Sequence, residues 1–323
     1  MATLTTTLNS TNVRNLLQMW SDRLHLRVAS RWAPAAAAEK AARLFMTPPR
    51  IPHTDRELEL LTQGRAFEVR GDRGTSPNSP LSLMAWRFGR EDRPMVVLSH
   101  GWAGRGAQLR TFVPPLLAAG YQVVLFDHAG HGRSAGSAST LVHFVQGLDL
   151  VVRYMEGEGA AVVGLVGHSL GAAALGVWLN ANGRELRAVL VAPPTSVERY
   201  SRYFAQRLGI PENVRQAMQA RIERMLGQSW SDFELPNSVR NIRAPALVIH
   251  DGDDREVRAS AGLALARAWP DARFVGTRGL GHRGVLRDAA VVRDVVDFID
   301  GRVVFARPPA TDARAFDAPA PLL

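Results

Sequence analysis

A serine flanked by glycines stands where a predicted strand meets a predicted helix. The segment Gly167-His168-Ser169-Leu170-Gly171 follows the apolar run 162–166 without a gap and leads directly into alanines. A serine at such a strand–turn–helix junction is held in a strained backbone conformation that lifts its hydroxyl clear of the sheet. Gly167 and Gly171 let strand and helix approach closely, and the start of the helix favours a developing negative charge. Ser169 is therefore the predicted nucleophile.

The same five-residue pattern occurs a second time, in a different context. Gly132-Arg133-Ser134-Ala135-Gly136 is separated from the preceding predicted strand by the segment 127–131, and no helical pattern begins directly after it. Such a short pattern also arises by chance in glycine-rich chains. Ser134 is therefore predicted to be part of a structural loop.

A serine nucleophile needs a histidine base that an acid orients. In the chain order serine, acid, histidine, the base must follow Ser169, and of nine histidines only His250 and His282 do so. His250 ends an apolar strand pattern with no acid-to-histidine step after it. His282 lies in a glycine-containing loop between the last predicted strand and the last predicted helix, and is therefore the predicted base.

Three aspartates follow the strand predicted near residues 245–250 and are candidates for the acid. Asp254, four residues after His250 and three before Val257, is the preferred candidate, and Asp253 is the alternative. The one that does not serve as the acid is expected to cap a turn or a helix. Asp251 is the third.

Two backbone N–H groups are predicted to form an oxyanion hole. One is that of Leu170, the residue after the nucleophile. The other is that of Trp102, in the loop Ser99-His100-Gly101-Trp102 that follows an apolar strand pattern. Gly101 would allow the tight backbone path that this loop needs.

Alternating apolar runs and helical patterns indicate an α/β fold, with a mostly parallel eight-stranded sheet flanked by helices. Strands are predicted near 65–70, 82–88, 95–99, 121–126, 161–166, 187–192, 245–250 and 272–276. Helices are predicted near 106–118, 140–156, 170–181, 258–269 and 284–299. The predicted organisation is a helical N-terminal extension (1–62), a core (63–193 and 243–301), a small helical cap inserted in it (194–242) and a disordered tail (302–323).

Composition excludes several kinds of chemistry. The 323 residues include no cysteine, which rules out disulfides, thiol nucleophiles, iron–sulfur clusters and cysteine-bound zinc. No His/Asp cluster has the spacing of metal ligands, so neither a metal nor another cofactor is expected. The net charge of +9 is spread along the chain without a run of four basic residues, so nucleic acid is not an expected partner.

The N-terminal region allows three interpretations. No secretory signal pattern opens the chain, so a cytoplasmic location is expected, although the Ser/Thr- and Arg-rich residues 1–38 also have the composition of an organellar transit peptide. The favoured interpretation is an amphipathic helix docked on the body through Val13, Leu16, Leu17, Trp20, Leu24 and Val28. A helix on a membrane surface is the third.

One uncharged stretch is long enough to span a bilayer. Residues 160–179 carry no charge, but His168 and Ser169 stand in their middle beside three glycines. A buried strand, a sharp turn and a buried helix explain the stretch better, so no integral membrane segment is predicted.

Taken together, the segments resemble the α/β-hydrolase superfamily, in its esterase- and lipase-like branch with a small helical cap. The similarity covers roughly residues 65–300 and rests on five pieces: His100-Gly101-Trp102, the loop from Asp127 to Ser134, the segment from Gly167 to Gly171, Asp254 with Val257, and Gly281-His282. One departure occurs after the acid-bearing strand, where the family often has His-Gly and this chain has His250-Asp251-Gly252.

The resemblance implies hydrolysis of a small-molecule carboxylic ester through an acyl-enzyme intermediate. The same triad also serves thioesters, lactones, amides, C–C bonds and acyl transfer, and a catalytically silent binding protein can use the same fold. A dinucleotide-dependent oxidoreductase is a weaker alternative, suggested by Gly101, Gly104 and Gly106 with Asp127 about twenty residues on. The sequence does not indicate an oligomeric state.

Overall fold

The computed structural model describes residues 10–71 and 81–302, with the side chains of the first helix described from residue 21 onward. In chain order, its helices and strands are α1 (Ser10–Trp32), α2 (Pro34–Met46), α3 (Asp55–Gln63), β1 (Arg65–Arg70), β2 (Ser82–Phe88), β3 (Met95–Ser99), α4 (Val113–Ala118), β4 (Gln122–Phe126), α5 (Leu141–Gly157), β5 (Val162–His168), α6 (Leu170–Asn182), β6 (Arg187–Val191), α7 (Val197–Leu208), α8 (Glu212–Leu226), α9 (Leu235–Ser238), β7 (Ala246–Asp251), α10 (Ala259–Ala268), β8 (Ala272–Thr277), α11 (Gly281–Gly284) and α12 (Ala289–Asp300).

The strands form one eight-stranded sheet in the order β1-β2-β4-β3-β5-β6-β7-β8. The pairs β1–β2 and β2–β4 are antiparallel and the remaining neighbours are parallel. The central strands are apolar on both faces because helices cover both faces, as is usual for parallel sheets. This confirms the predicted fold class, and every strand lies within two residues of its predicted bounds.

The parallel strands bring four loops to the same edge of the sheet. In a parallel sheet all carboxyl ends lie on one edge, where α/β proteins build their sites. The segments after β3, β5, β7 and β8 hold Trp102, Ser169, Asp254 and His282, respectively, with His282 in the short helix α11. Residues far apart in the chain are thereby gathered at one end of the sheet.

Two helix predictions were wrong at their starts. The last helix was predicted from residue 284 but α12 begins at Ala289, because the Asp288 side chain accepts hydrogen bonds from two N–H groups of its first turn. Val285 and Leu286 are nevertheless buried. The helix predicted over 106–118 is a 3₁₀ segment, Gly106–Phe112, before the short helix α4, which has proline in its first turn.

Residues 47–196 and 231–302 form the larger of two compact units and contain the whole sheet. Its main apolar core packs the inner strands against the 3₁₀ segment, α4 and α12, through residues such as Val96, Leu98, Phe112, Val189 and Ile299. Each of these five side chains is buried, so hydrophobic burial fixes the strands that carry the loops at the sheet edge.

Residues 10–46 and 197–230 form the second compact unit, which contains α1, α2, α7 and α8. Its core is a separate cluster that includes Leu26, Ala37, Ala41, Met218 and Ile222. The domain boundaries predicted from the sequence, at residues 62/63, 193/194, 242/243 and 301/302, remain predictions. The predicted disordered tail lies outside the described residues, apart from residue 302.

The predicted apolar face of α1 was wrong where its side chains are described. Leu24 and Val28 are exposed, whereas Leu26 is fully buried beside Asp22. Asp22 forms an ion pair with Lys40 of α2 at 2.9 Å, which allows a charged residue on the inner face. The side chains of Val13, Leu16, Leu17 and Trp20 lie outside the described part of the helix.

Within residues 10–71 and 81–302, no helix combines the length and apolar character needed to cross a membrane. The uncharged stretch 160–179 forms β5, a sharp turn and most of α6, as predicted.

Candidate active site

Ser169 stands at a sharp turn between β5 and α6, where it is the residue before the first helical turn. Its backbone has φ 52° and ψ −122°, a strained combination for a residue with a side chain. A Cβ atom on Gly171 would lie 2.4 Å from the His100 carbonyl oxygen, and one on Gly167 would lie 2.7 Å from Ala172. Both glycines are therefore required by close backbone packing, and Ser169 itself is half-buried.

The structure brings Asp254 and His282 together. Asp254 Oδ2 lies 2.7 Å from His282 Nδ1. Asp254 Oδ1 accepts hydrogen bonds from the N–H groups of Glu256 at 2.8 Å and Val257 at 2.9 Å. Since a carboxylate only accepts, His282 Nδ1 carries a proton and Nε2 is left as the basic nitrogen of the neutral ring.

The environment of Asp254 keeps its carboxylate ionised. Burial alone would raise the pKa of Asp254, but hydrogen bonds from His250 and His282 outweigh it and hold the pKa well below the ordinary 3.8. His250 is not the predicted base, because it ends a strand pattern with no acid-to-histidine step after it. The structure shows what it does instead: His250 Nε2 donates to the Val257 carbonyl oxygen at 2.9 Å and lies 3.3 Å from Asp254 Oδ2.

The side chain of Asp253, the alternative acid, contacts the backbone of the segment that precedes His282. Its Oδ2 atom accepts a hydrogen bond from the Gly279 N–H at 2.8 Å, the kind of turn-capping contact expected of the aspartate that does not meet the histidine. Asp254 and Asp253 are neighbours in sequence, yet only the Asp254 carboxylate is hydrogen-bonded to the His282 ring.

Asp251 joins the two loops, a role that the sequence reasoning missed. Its Oδ1 atom accepts from the N–H groups of Asp253 at 3.0 Å and Gly281 at 2.9 Å. Its Oδ2 atom accepts from the Thr277 hydroxyl at 2.7 Å and the Leu280 N–H at 3.2 Å. One buried carboxylate thus ties the acid loop to the histidine loop. The signal for it was the departure from the family pattern, His250-Asp251-Gly252, which places a carboxylate where the family often has glycine.

His168 is a second residue whose role the sequence did not reveal. It is buried, and its Nε2 atom donates to the backbone carbonyl oxygen of His282 at 2.9 Å. Burial is the largest cause that lowers the pKa of His168, to about 3, so the ring is neutral at physiological pH. Because His168 directly precedes Ser169, this contact ties the serine turn to the histidine loop.

A further carboxylate lies near the free side of the His282 ring. His282 Nε2 is 3.9 Å from Glu256 Oε2. The other carboxylate oxygen, Glu256 Oε1, lies 3.6 Å from Arg283 Nε. Glu256 is half exposed, in contrast to the buried Asp254. It therefore contacts the ring edge as a solvated charge rather than as a buried partner.

The loop after β3, which holds Trp102 with its predicted oxyanion-hole N–H group, lies against Ser169. A Cβ atom on Gly101 would lie 2.8 Å from Ser169 Cβ, so only glycine permits this approach. The Gly101 carbonyl oxygen accepts a hydrogen bond from His100 Nδ1 at 2.7 Å. Because a trans peptide directs its C=O and N–H to opposite sides, this bond turns the Trp102 N–H away from His100. Leu170 offers the other predicted N–H group, at the first position of α6, where an N–H group has no acceptor within its own helix.

The side chains of His100 and His131, near this loop, hydrogen-bond to the backbone and are neutral. His100 Nε2 accepts from the His128 N–H at 2.9 Å, and His131 accepts from the Ala103 N–H at 3.2 Å and donates to the Ala129 carbonyl oxygen at 2.9 Å. Burial lowers the pKa of His131 to about 4 and that of His100 well below 6.5. Asp127 is also buried and accepts from the N–H groups of Gly106 and Arg133, so this carboxylate is committed within the protein rather than to a ribose.

Comparison with known proteins follows the same lines. A sequence model of the Alpha/beta hydrolase family matches residues 96–295. A relative from Caulobacter sp. (strain K31) that bears the name of a carbamate hydrolase, RutD, is 29% identical over 221 residues, covering 56% of this chain and 81% of its own. The bifunctional esterase/perhydrolase DCH of Acinetobacter calcoaceticus is 27% identical over 151 residues, covering 45% of this chain and 52% of its own.

Solved structures of low sequence identity share the fold. The Pyrococcus furiosus esterase Pf2001 superposes with a TM-score of 0.59 at 19% identity, covering 79% of this chain and 97% of that one. The named relatives support a hydrolase. The family match spans more than half of the chain and includes the segments that carry Trp102, Ser169, Asp254 and His282. The chain belongs to the alpha/beta hydrolase family.

Proposed function

We propose that this protein is a serine hydrolase of carboxylic esters, with Ser169 as nucleophile, His282 as general base and Asp254 as the orienting acid. The observation that carries the proposal is the 2.7 Å hydrogen bond between Asp254 and His282, formed at the end of the sheet where the strained Ser169 turn also lies. These three residue types in this relation perform nucleophilic acyl transfer on several unrelated folds.

Each group has one task in the proposed reaction. His282 Nε2 takes the Ser169 hydroxyl proton as Oγ attacks the ester carbonyl carbon, and ionised Asp254 holds the resulting imidazolium in place. The N–H groups of Trp102 and Leu170 bind the oxyanion of the tetrahedral intermediate. His282 then gives its proton to the leaving alkoxide, which leaves an acyl group on Ser169. Water, deprotonated by His282, attacks that acyl group and releases the carboxylic acid and the free serine.

The substrate we propose is a small-molecule acyl ester, and the cytoplasm is the location predicted from the sequence. The names of the two relatives, a carbamate hydrolase and an esterase/perhydrolase, fit a substrate with an acyl carbonyl group. Serine at the turn separates this chain from members of the fold that use an aspartate nucleophile, such as haloalkane dehalogenases.

A fluorophosphonate probe tests the proposal directly. We expect covalent labelling of the full-length protein on the peptide that contains Ser169, and no labelling of Ser169→Ala. Activity on p-nitrophenyl esters of increasing acyl length, beside a matched thioester panel, would then identify the acyl group and the bond. Labelling at any other residue, or folded protein that neither reacts with the probe nor hydrolyses any of these substrates, would refute the proposal.

A further inference from the structure

One side of α1 exposes three large apolar side chains to solvent. Leu24 is 67% exposed, Val28 54% and Trp32 85%, the three highest values among the large apolar residues that the structure describes. They are spaced four residues apart and so lie along one side of the helix. The buried Leu26 and Asp22 lie on the opposite side. We refer to Leu24, Val28 and Trp32 as the α1 stripe.

An arginine row accompanies the α1 stripe. Arg23, Arg27 and Arg31 each precede one residue of the stripe and are exposed, so they follow one of its edges along the helix. The stem of Arg27, through Cγ and Cδ, and the Nε atom of Arg23 lie within 4 Å of the position that a Cβ on Gly209 would occupy, in the turn between α7 and α8. Long apolar stems with a charged end are suited to the boundary between an apolar phase and a polar one.

The unit that contains α1 also carries most of the protein's net positive charge. Residues 1–46 and 197–230 contain twelve Lys and Arg against five Asp and Glu, a net charge of +7 out of +9 for the whole chain. This net charge already counts both members of every internal ion pair, so such pairs do not change it. A quarter of the chain therefore holds nearly all of the excess positive charge, and it is the quarter that exposes the stripe.

We propose that the α1 stripe binds the surface of a membrane rich in anionic phospholipid. Leu24, Val28 and Trp32 would enter the boundary between headgroups and acyl chains, while the arginine row pairs with lipid phosphates. The positive charge argues against a second copy of this chain as the occupant, because a second unit of charge +7 would be repelled by the first. Nucleic acid would satisfy the arginines but leave the aliphatic part of the stripe in water.

Vesicle binding of the full-length protein tests this proposal independently of hydrolysis. We expect co-sedimentation with vesicles made of phosphatidylglycerol and phosphatidylcholine in equal parts, and at least about tenfold weaker binding to pure phosphatidylcholine. Binding to the anionic vesicles is also expected to weaken as salt is raised, because exposed charges are screened. Equal binding to both lipids, or no binding to either, would overturn the proposal.

Two double variants separate the stripe from general surface hydrophobicity. Leu24→Ser with Trp32→Ser is expected to reduce binding by about tenfold or more, because burial of such side chains contributes more than the energy of a tenfold change. Ile51→Ser with Leu58→Ser removes two exposed apolar residues of the other unit and serves as the control, expected to bind like the wild type. Both pairs are on the surface, and unchanged thermal unfolding would verify folding.

The arginine row gives a third measurement. Arg27→Gln with Arg31→Gln is expected to weaken binding to anionic vesicles by about fivefold per arginine and to reduce its salt dependence. Light scattering without vesicles tests the other occupants. A wild-type dimer that the stripe variant abolishes would assign the stripe to a second copy of the chain and overturn the membrane proposal, as would equal vesicle binding by wild type and stripe variant.

Discussion

The two glycine–serine segments share a pattern and differ in almost every physical property. Ser134 is 2% exposed, and its hydroxyl donates to the Asp127 carbonyl oxygen at 2.5 Å and accepts from the Met84 N–H at 2.9 Å. Both hydrogen-bonding functions of this serine are thus used to fasten a loop to β2. Ser169 instead has a positive φ, follows a strand without a gap and precedes a helix.

The difference lies in what surrounds each serine rather than in the five residues themselves. The first segment is held as a loop, with Arg50 donating to the carbonyl oxygens of Ser134 and Gly136. The second is held by close backbone packing at Gly167 and Gly171, beside a loop that can offer N–H groups. A pattern of this kind therefore predicts chemistry only when the elements before and after it are predicted as well.

Replacing each serine by alanine gives the largest expected contrast. Ser169→Ala should reduce ester hydrolysis by roughly a millionfold and abolish fluorophosphonate labelling, because the proposed nucleophile is gone. The Ser134→Ala protein should still be labelled at Ser169. Its free energy of unfolding should fall by about 1–3 kcal/mol, since two backbone groups lose their hydrogen-bond partner. Labelling and denaturant unfolding of both variants measure this. A labelled Ser169→Ala protein, or an unlabelled but folded Ser134→Ala protein, would reverse the assignment of the two serines.

The neighbouring aspartates Asp253 and Asp254 allow the same kind of contrast near Ser169. Asp254→Asn should lower kcat by about ten-thousandfold, because an amide cannot hold His282 in the required tautomer. Asp253→Asn, the matched control, removes only the charge of a side chain that accepts from a loop N–H, and should stay within about tenfold of wild type. Steady-state kinetics on one p-nitrophenyl ester would rank the two. Similar losses in both variants would argue against a unique acid.

The sequence predicted well those features that repeat along the chain or are imposed by local backbone packing. The strands were found because buried parallel strands are continuous apolar runs, and the serine turn because only glycine fits at positions 167 and 171. His282 was selected by order along the chain, whereas order alone left three aspartates, of which the preferred candidate, Asp254, contacts His282.

The features that were missed depend on contacts across loops. The departure His250-Asp251-Gly252 marks an unusual carboxylate but does not tell that Asp251 accepts from N–H groups at residues 280 and 281. Nothing local marks His168 as the donor to a carbonyl oxygen 114 residues away. The face of α1 was mispredicted because periodicity reports apolar residues without telling which of them lie inward. Leu26 is buried in an apolar cluster and Leu24 is exposed, while Asp22 on the same inner side is paired with Lys40.

Asp251→Asn tests whether the link between the segments that carry Asp254 and His282 affects catalysis at Ser169. An amide can still accept at one atom, but its NH₂ group would face donors at Thr277 and Leu280. We expect kcat to fall by about ten- to a hundredfold with KM little changed, because the histidine loop would shift while substrate contacts stay. Asp251→Glu should not restore the rate, since its carboxylate lies one bond farther out. Wild-type kcat in folded Asp251→Asn would remove Asp251 from the positioning of His282.

The smallest effect on activity is expected at the histidine beside each serine. His131 and His168 are both buried and neutral, and burial is the main cause that lowers their pKa values from 6.5 to about 4 and about 3. The unfolded chain takes up these protons below about pH 6.5 while the folded protein does not, so stability is complete above that pH and falls as the pH drops.

His168→Gln isolates the contribution of the histidine next to Ser169. Glutamine keeps an N–H donor for the His282 carbonyl oxygen but cannot be protonated, so activity near neutral pH should change by less than about tenfold. The free energy of unfolding should depend less steeply on pH below 6.5, by up to about 1.4 kcal/mol per pH unit. Denaturant unfolding at several pH values between about 5 and 7 measures this slope. His25→Gln, at an exposed position of α1, is the matched control. If the pH dependence of the free energy of unfolding is unchanged in His168→Gln, the His168 ring is not a buried neutral group whose protonation opposes folding.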